Sequence, residues 1–124
     1  MKRLGLIGFI AAISSPGLAA TNQFDLECQG DTAPKPNRVR VDLDKRIYCM
    51  GECSFIESIF SFSPDEILFS DKKKGLEFNY FRVDRRNGRF AIRYQSLAAG
   101  KFYSQAFEGT CLPKPFTEFP QRAF

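Results

Sequence analysis

The sequence predicts an all-β fold, a small antiparallel meander or barrel of seven to eight strands stapled by two disulfides. Three observations lead there. Short runs of alternating apolar and polar residues are separated by turn residues about every 8–12 positions, with no long helical periodicity among them. Four cysteines follow an N-terminal segment built like an export signal, and an even cysteine count in an oxidising compartment reads as disulfides. Aromatic residues make up 15% of the chain, with 14 Phe and no Trp. That is too much apolar mass for a disordered chain.

The elements follow in order. Lys2 and Arg3 open the chain, residues 4–13 (LGLIGFIAAI) are apolar or Gly, and residues 14–20 (SSPGLAA) carry a breaker and small side chains. This is the three-part order of a secretory signal. Its apolar run is about half the ~20 residues of a spanning helix. Residues 1–20 are therefore expected to be cleaved, leaving no transmembrane segment and a periplasmic or secreted protein. Residues 21–124 are expected to form one all-β domain. In residues 23–29, Phe24, Leu26 and Cys28 alternate with polar residues, and residues 30–37 (GDTAPKPN) form a loop. Residues 38–44 (RVRVDLD) are the cleanest strand, with Val39, Val41 and Leu43 on one face and Arg38, Arg40, Asp42 and Asp44 on the other. A turn at Asp44-Lys45 leads to a strand at 46–50. A Phe-rich strand follows at 58–63, a Ser-Pro-Asp turn, a strand at 66–70 and a turn at 72–75 (KKKG).

Residues 76–83 and 89–95 are read as a hairpin, because Asn87-Gly88 between apolar runs is a strong hairpin cue. Two registers compete. A two-residue turn puts Phe81 and Val83 on the face of Phe90, Ile92 and Tyr94, whereas a three-residue loop with Gly88 as a left-handed bulge puts Phe78 and Tyr80 there. The second is preferred, because Arg86-Asn87-Gly88 fits that loop. Residues 76–83 are apolar on both faces and so belong inside a sheet. Residues 96–101 read as a loop, 102–111 as the last strand and 112–124 as an extended tail. That tail has Phe116, Phe119 and Phe124 packing across the sheet.

Cys28, Cys49, Cys53 and Cys111 allow three connectivities. Alternation puts Cys28 in phase with Phe24 and Leu26, and Cys111 in phase with Phe107 and Gly109. Cys28–Cys111 with Cys49–Cys53 is therefore preferred. The first bridge closes most of the mature chain into one loop, worth about 4–5 kcal/mol in the chain-entropy model. The second acts locally, with Gly51 letting a short ring turn. A redox role for Cys49 and Cys53 is the alternative, but low-pKa oxidoreductase pairs enclose two residues and open a helix, and this pair encloses Met50, Gly51 and Glu52 in a loop. A four-thiolate zinc site needs two short-spaced pairs, and the chain has one.

Charge is segregated. Residues 24–71 hold five basic and ten acidic side chains, and residues 72–93 hold eight basic and two acidic. The basic block, Lys72, Lys73, Lys74, Arg82, Arg85, Arg86, Arg89 and Arg93, is the candidate surface for an anionic envelope component, such as a phosphorylated glycolipid or acidic polysaccharide, or for an acidic protein. Arginines alternating with Phe and Tyr also suit nucleic-acid stacking, but an exported chain is not expected to meet nucleic acid. The competing reading is structural: cations at turns and edges keep sheets from pairing with neighbours, and the acidic half neutralises the basic one.

With no His, the chain has no Ser-His-Asp or Cys-His catalysis and no imidazole ligand. Asp42 and Asp44 share a strand face about 7 Å apart, a spacing that suits a glycosidase pair. Arg38, Arg40, Lys45 and Arg46 surround them, so both are read as solvated, paired surface charges. GxSxG, HExxH, phosphate-loop and EF-hand patterns are missing. No catalytic residue, metal site or cofactor is expected, and the chain is read as non-enzymatic.

FDLECQG (24–30), VDLDKRIYCMGEC (41–53), VDRRNGRF (83–90) and EGTCLPKPFTEFP (108–120) together resemble a group of small exported proteins of Gram-negative bacteria. Those run signal peptide, F-D-L-x-C-x-G, a D-L strand, a C-x-x-x-C pair, D-R-x-x-G and a terminal G-x-C-x-P-x-P-F. The resemblance spans nearly the whole mature chain. It implies a periplasmic or secreted β protein and carries over no catalytic or ligand residue. The chain is also similar in plan to small periplasmic lysozyme inhibitors, which are exported and Cys-stapled. Their Ser-Gly-x-x-Tyr loop is missing, and Asn87-Gly88 sits at the comparable hairpin. Three readings follow: a binding module using the basic hairpin, an inhibitor of a cell-wall hydrolase, and a thiol redox protein using Cys49 and Cys53.

Overall fold

The computed structural model describes residues 21–120. The expected signal peptide at 1–20 and Phe124 lie outside the described residues. Nine strands form one antiparallel sheet: β1 (Gln23–Gly30), β2 (Asn37–Asp42), β3 (Ile47–Met50), β4 (Glu57–Ser58), β5 (Ser61–Phe62), β6 (Glu66–Lys74), β7 (Glu77–Asp84), β8 (Arg89–Ala98) and β9 (Lys101–Lys114). Their order is β4-β3-β2-β1-β9-β8-β7-β6-β5, curled into a half-barrel.

The two edge strands are consecutive in the chain. Ile59 N–H donates to the Arg46 carbonyl at 2.9 Å, and Phe60 N–H donates to the Phe69 carbonyl at 3.2 Å. Segment 57–62 thus passes from β3 to β6 and joins the sheet's two edges at one point. The expected single strand at 58–63 is therefore two short ones, because the segment must change partner midway.

The core fills the concave face. Phe24 and Leu26 of β1, Val39 and Val41 of β2, Tyr48 of β3, Ile59 between β4 and β5, Ile67 and Phe69 of β6, Phe81 and Val83 of β7 and Phe90 of β8 are buried together. Alternation explains this on β1 and β2, where every second side chain points inward. Tyr48, Phe69 and Phe81 form an aromatic stack, with ring centres 4.8 Å apart for Tyr48–Phe69 and 4.6 Å for Phe69–Phe81. Both preferred disulfides are present, and Cys28 faces Cys111 directly across the β1–β9 ladder.

The hairpin register departs from the preferred reading. Val83 pairs with Phe90 and Phe81 with Ile92, so Phe81 and Val83 face the core, and Phe78 and Tyr80 do not. The connection spans Arg85 to Gly88, neither of the loops considered. Gly88 N–H donates to the Asp84 carbonyl at 2.8 Å, Arg85 N–H to the Asp65 carbonyl at 2.8 Å, and Cys111 N–H to the Gly88 carbonyl at 2.7 Å. Contacts from two other parts of the chain thus set its length.

Two expected loops are strand. Lys72, Lys73 and Lys74 belong to β6, which turns only at Gly75-Leu76, and β8 runs through Ala98 before turning at Ala99-Gly100. Gly75 has φ 61°, and Ala99 and Gly100 have φ 53° and 77°, so both turns are tight two-residue connections.

The tail crosses the convex face. Thr117 N–H donates to Asp25 Oδ1 at 3.1 Å, and Arg40 Nη1 donates to the Glu118 carbonyl at 2.9 Å. Phe116 and Phe119 are half-buried with rings 5.9 Å apart. Asp25 is fully buried beneath the tail, where Arg38 Nε donates to it at 2.8 Å.

Candidate functional site

The strands differ in length, and that difference makes the site. β1 pairs with β9 only between Gly109 and Lys114, whereas β6, β7, β8 and β9 run on together far past the core. Residues 71–80 and 93–107 therefore form a four-stranded flap. The sequence explains why the flap stays open. Along β7 and β8 the inward positions change from Phe81, Val83 and Phe90 to Glu77, Asn79, Tyr94 and Ser96, which have too little apolar area to hold a second layer. A β-bulge between Leu68 and Ser70 shifts the register on β6. As a result Lys72 and Lys74 sit on the concave face, opposite Asn79 and Glu77, and Lys73 on the convex face opposite Phe78.

The eight candidate cations do not form one patch. Lys74 lies at one end of β7 and Arg85 at the other, roughly 25 Å apart at ~3.4 Å rise per residue. At the near end, Arg82 pairs with Glu66. Arg86 Nη2 lies 3.0 Å from Asp84 Oδ2. Arg89 grips both carboxylate oxygens of Asp31, at 2.9 and 2.8 Å, and also Thr110 Oγ1 at 3.1 Å. Arg85 Nη1 donates to the Ser63 carbonyl at 2.9 Å. These cations are already engaged. The Arg86 side chain and N–H hold the Asp84 carboxyl down to about 2, and Arg89 lowers that of Asp31.

The flap cations differ. Lys72 reaches Glu57 at 3.3 Å, across the join between the sheet edges. Lys73 Nζ stands 5.7 Å from the Phe78 ring centre, and Phe78 stacks on Tyr80 with centres 6.1 Å apart. Arg93 lies opposite Tyr80 on the same face. Among the described residues, Lys74, Arg93 and Lys101 have no carboxylate within ion-pair distance.

Sequence reading missed the apolar part of the flap. Leu76, Tyr94, Leu97, Phe102, Tyr103 and Phe107 are all exposed. The available signal was the symmetry of Leu97 and Phe102 about Ala99-Gly100, which pairs them across a tight turn.

At the base of the flap, the concave face opens into a cleft of about 360 Å³, lined by Tyr48, Met50, Phe55, Phe81 and Ile92 together with Lys72 and Asn79 of the flap. Burial, with Glu57 nearby, pushes the Tyr48 phenol up to about 12, so it stays protonated at neutral pH. Cys49 and Cys53 are buried and bridged. Gly51 N–H donates to the Arg38 carbonyl at 2.8 Å and fixes their loop on β2.

Asp42 is not the solvated charge expected. It is buried, accepting from Gln23 Nε2 at 3.0 Å and from Lys45 N–H at 3.0 Å, and so caps the turn into β3. Asp44 is exposed and accepts from Asn22 Nδ2 at 2.8 Å.

The two disulfides suit an oxidising, non-cytoplasmic compartment. Among the described residues no helix is long and apolar enough to cross a membrane. No family model, curated protein or solved structure matches this chain.

Proposed function

We propose that this is a periplasmic or secreted β module, without enzymatic activity, that binds an anionic envelope component through the β6–β9 flap. The signal-like residues 1–20 and the two bridges support the location. The division of the cations carries the reading. Arg82, Arg86 and Arg89 are spent on internal carboxylates, while Lys73, Lys74 and Arg93 project from an open sheet without such partners. Unpaired cations gathered on one projecting part of the sheet raise the local potential around it and attract an anion.

Binding of the oxidised 21–124 chain to an envelope fraction tests this. Lys73→Ser/Lys74→Ser/Arg93→Ser is expected to weaken binding by up to about a hundred-fold, at up to ~1 kcal/mol per exposed charge. Arg85→Ser/Arg86→Ser is expected to lower the melting temperature and leave binding unchanged. Equal effects of the two variants on binding, or none from either, would discard the assignment.

A further inference from the structure

We infer that the anionic component is a lipid bilayer surface, met end-on by the two neighbouring tips of the flap. The inference rests on the proposed binding reading and names the chemistry of its ligand.

The β6–β7 turn at Gly75-Leu76 and the β8–β9 turn at Ala99-Gly100 lie at the same end of the sheet, because Glu77 and Phe78 of β7 run beside Gln95 and Ser96 of β8. Large apolar side chains crowd this end and face water: Leu76 is 61% exposed, Leu97 46%, Phe102 54% and Tyr103 49%. Leu97 and Phe102 pair on the convex face, whereas Tyr103 belongs to the opposite face beside Ser96. Lys73, Lys74 and Lys101 flank them and Arg93 lies farther down the flap, against Asp71 and Glu77 within residues 71–80 and 93–106; Lys72 is already engaged by Glu57.

Three physical points favour a bilayer over an acidic protein. The tips protrude and carry large apolar side chains on both faces, Leu97 and Phe102 on the convex one and Tyr103 on the concave one, so an occupant must wrap around them. A fluid interface does so without a preformed groove. Tyr settles at the headgroup level, Phe and Leu bury their apolar surface at the boundary between headgroups and acyl chains, and lysine stems lie along apolar surface while their ammonium groups reach phosphates. The charge is complementary to an anionic leaflet, where each nearby Lys or Arg is worth about five-fold in affinity.

The same geometry sets the depth. Over residues 101–107, β9 pairs only with β8 among the described residues, so its outer edge carries unpaired backbone groups. Hydrocarbon excludes such an edge. Contact therefore stops among the headgroups.

Flotation with vesicles tests the inference, using the oxidised 21–124 chain to avoid the apolar residues 4–13. The chain is expected to float with phosphatidylcholine–phosphatidylglycerol vesicles and not with phosphatidylcholine alone. Lys74→Ser/Lys101→Ser is expected to lose about thirty-fold in affinity. Leu97→Ser/Phe102→Ser is expected to lose at least tenfold with a melting temperature within a few degrees of the parent, because about half of each side chain is already in water. Leu112→Ser, also exposed but on the β1-paired end of β9, is expected to bind like the parent. Absence of binding to the anionic vesicles, equal binding to both kinds, or full binding by Leu97→Ser/Phe102→Ser overturns the lipid assignment. If vesicles are ignored while envelope binding still needs Lys73, Lys74 and Arg93, the lipid assignment fails alone and an acidic polysaccharide or protein takes its place. If both are lost, the binding reading falls with it.

Discussion

Gly109 stands where three strands crowd together: it pairs with Gly30 on β1 and with Phe90 on β8. An added Cβ would collide with the Gln29 carbonyl oxygen and sit 2.5 Å from Phe90 Cε2. Neither neighbour gives easily, since one is ladder backbone and the other a core ring. Gly109→Ala is expected to cost about 3 kcal/mol, the upper end of overpacking penalties. Gly30 supplies the internal comparison. Its added Cβ would meet Ala33 Cβ at 3.4 Å, an ordinary contact, so Gly30→Ala should stay within about 0.5 kcal/mol of the parent. Urea midpoints at constant m-value measure both. Equal midpoints for the two variants would contradict the packing argument.

At the scale of elements, the β7–β8 connection is held by charge. Asp84 accepts from Arg86 Nε at 3.2 Å, from Arg86 Nη2 at 3.0 Å and from Arg86 N–H at 2.9 Å. These bonds favour the carboxylate and hold its pKa at about 2, against about 4 in an unfolded chain. A depressed folded-state pKa contributes stability that is complete above about pH 4 and lost as pH falls toward about 2. Melting temperature should therefore fall as pH is lowered through that window, and Asp84→Asn should reduce this fall while starting lower at neutral pH. An unchanged slope in the variant would show that Asp84 does not drive it. The same connection marks where sequence reasoning ran out. β1 and β2 were legible because each has apolar residues at every second position only. β7 is apolar on both faces, so nothing local distinguishes Phe81 and Val83 from Phe78 and Tyr80. The Asp65 carbonyl and the Cys111 N–H, remote in sequence, decide the register. The candidate site was half legible for a related reason. A block of cations is visible in the chain, but Asp31, Glu57 and Glu66, which neutralise three of them, come from elsewhere. Small residues around Ala99-Gly100 hid the strands that carry Leu97 and Phe102.

For the whole molecule, the β1–β9 ladder is the principal seam. It joins the β4-β3-β2-β1 half of the sheet to the β9–β5 half, and segment 57–62 adds a second backbone link at the opposite edges. Cys28–Cys111 crosses this seam with a sequence separation of 83, while Cys49–Cys53 spans 4. In the chain-entropy model the long loop is worth about 4.5 kcal/mol and the short one about 2 kcal/mol. Both bridges are buried, so replacing each pair with Ala leaves no unsatisfied polar group and changes mainly the freedom of the unfolded chain. Cys28→Ala/Cys111→Ala should therefore lower the urea midpoint more than Cys49→Ala/Cys53→Ala, by a margin of about 2–3 kcal/mol. Amide exchange should separate the two further. Loss of the long bridge exposes the seam and speeds exchange along both β1 and β9, whereas loss of the short one loosens only residues 49–53 and their contact with β2. If the short bridge proves the costlier to remove, loop closure across the seam is not what holds this half-barrel together, and the packing of the 49–53 turn on β2 must carry the stability instead.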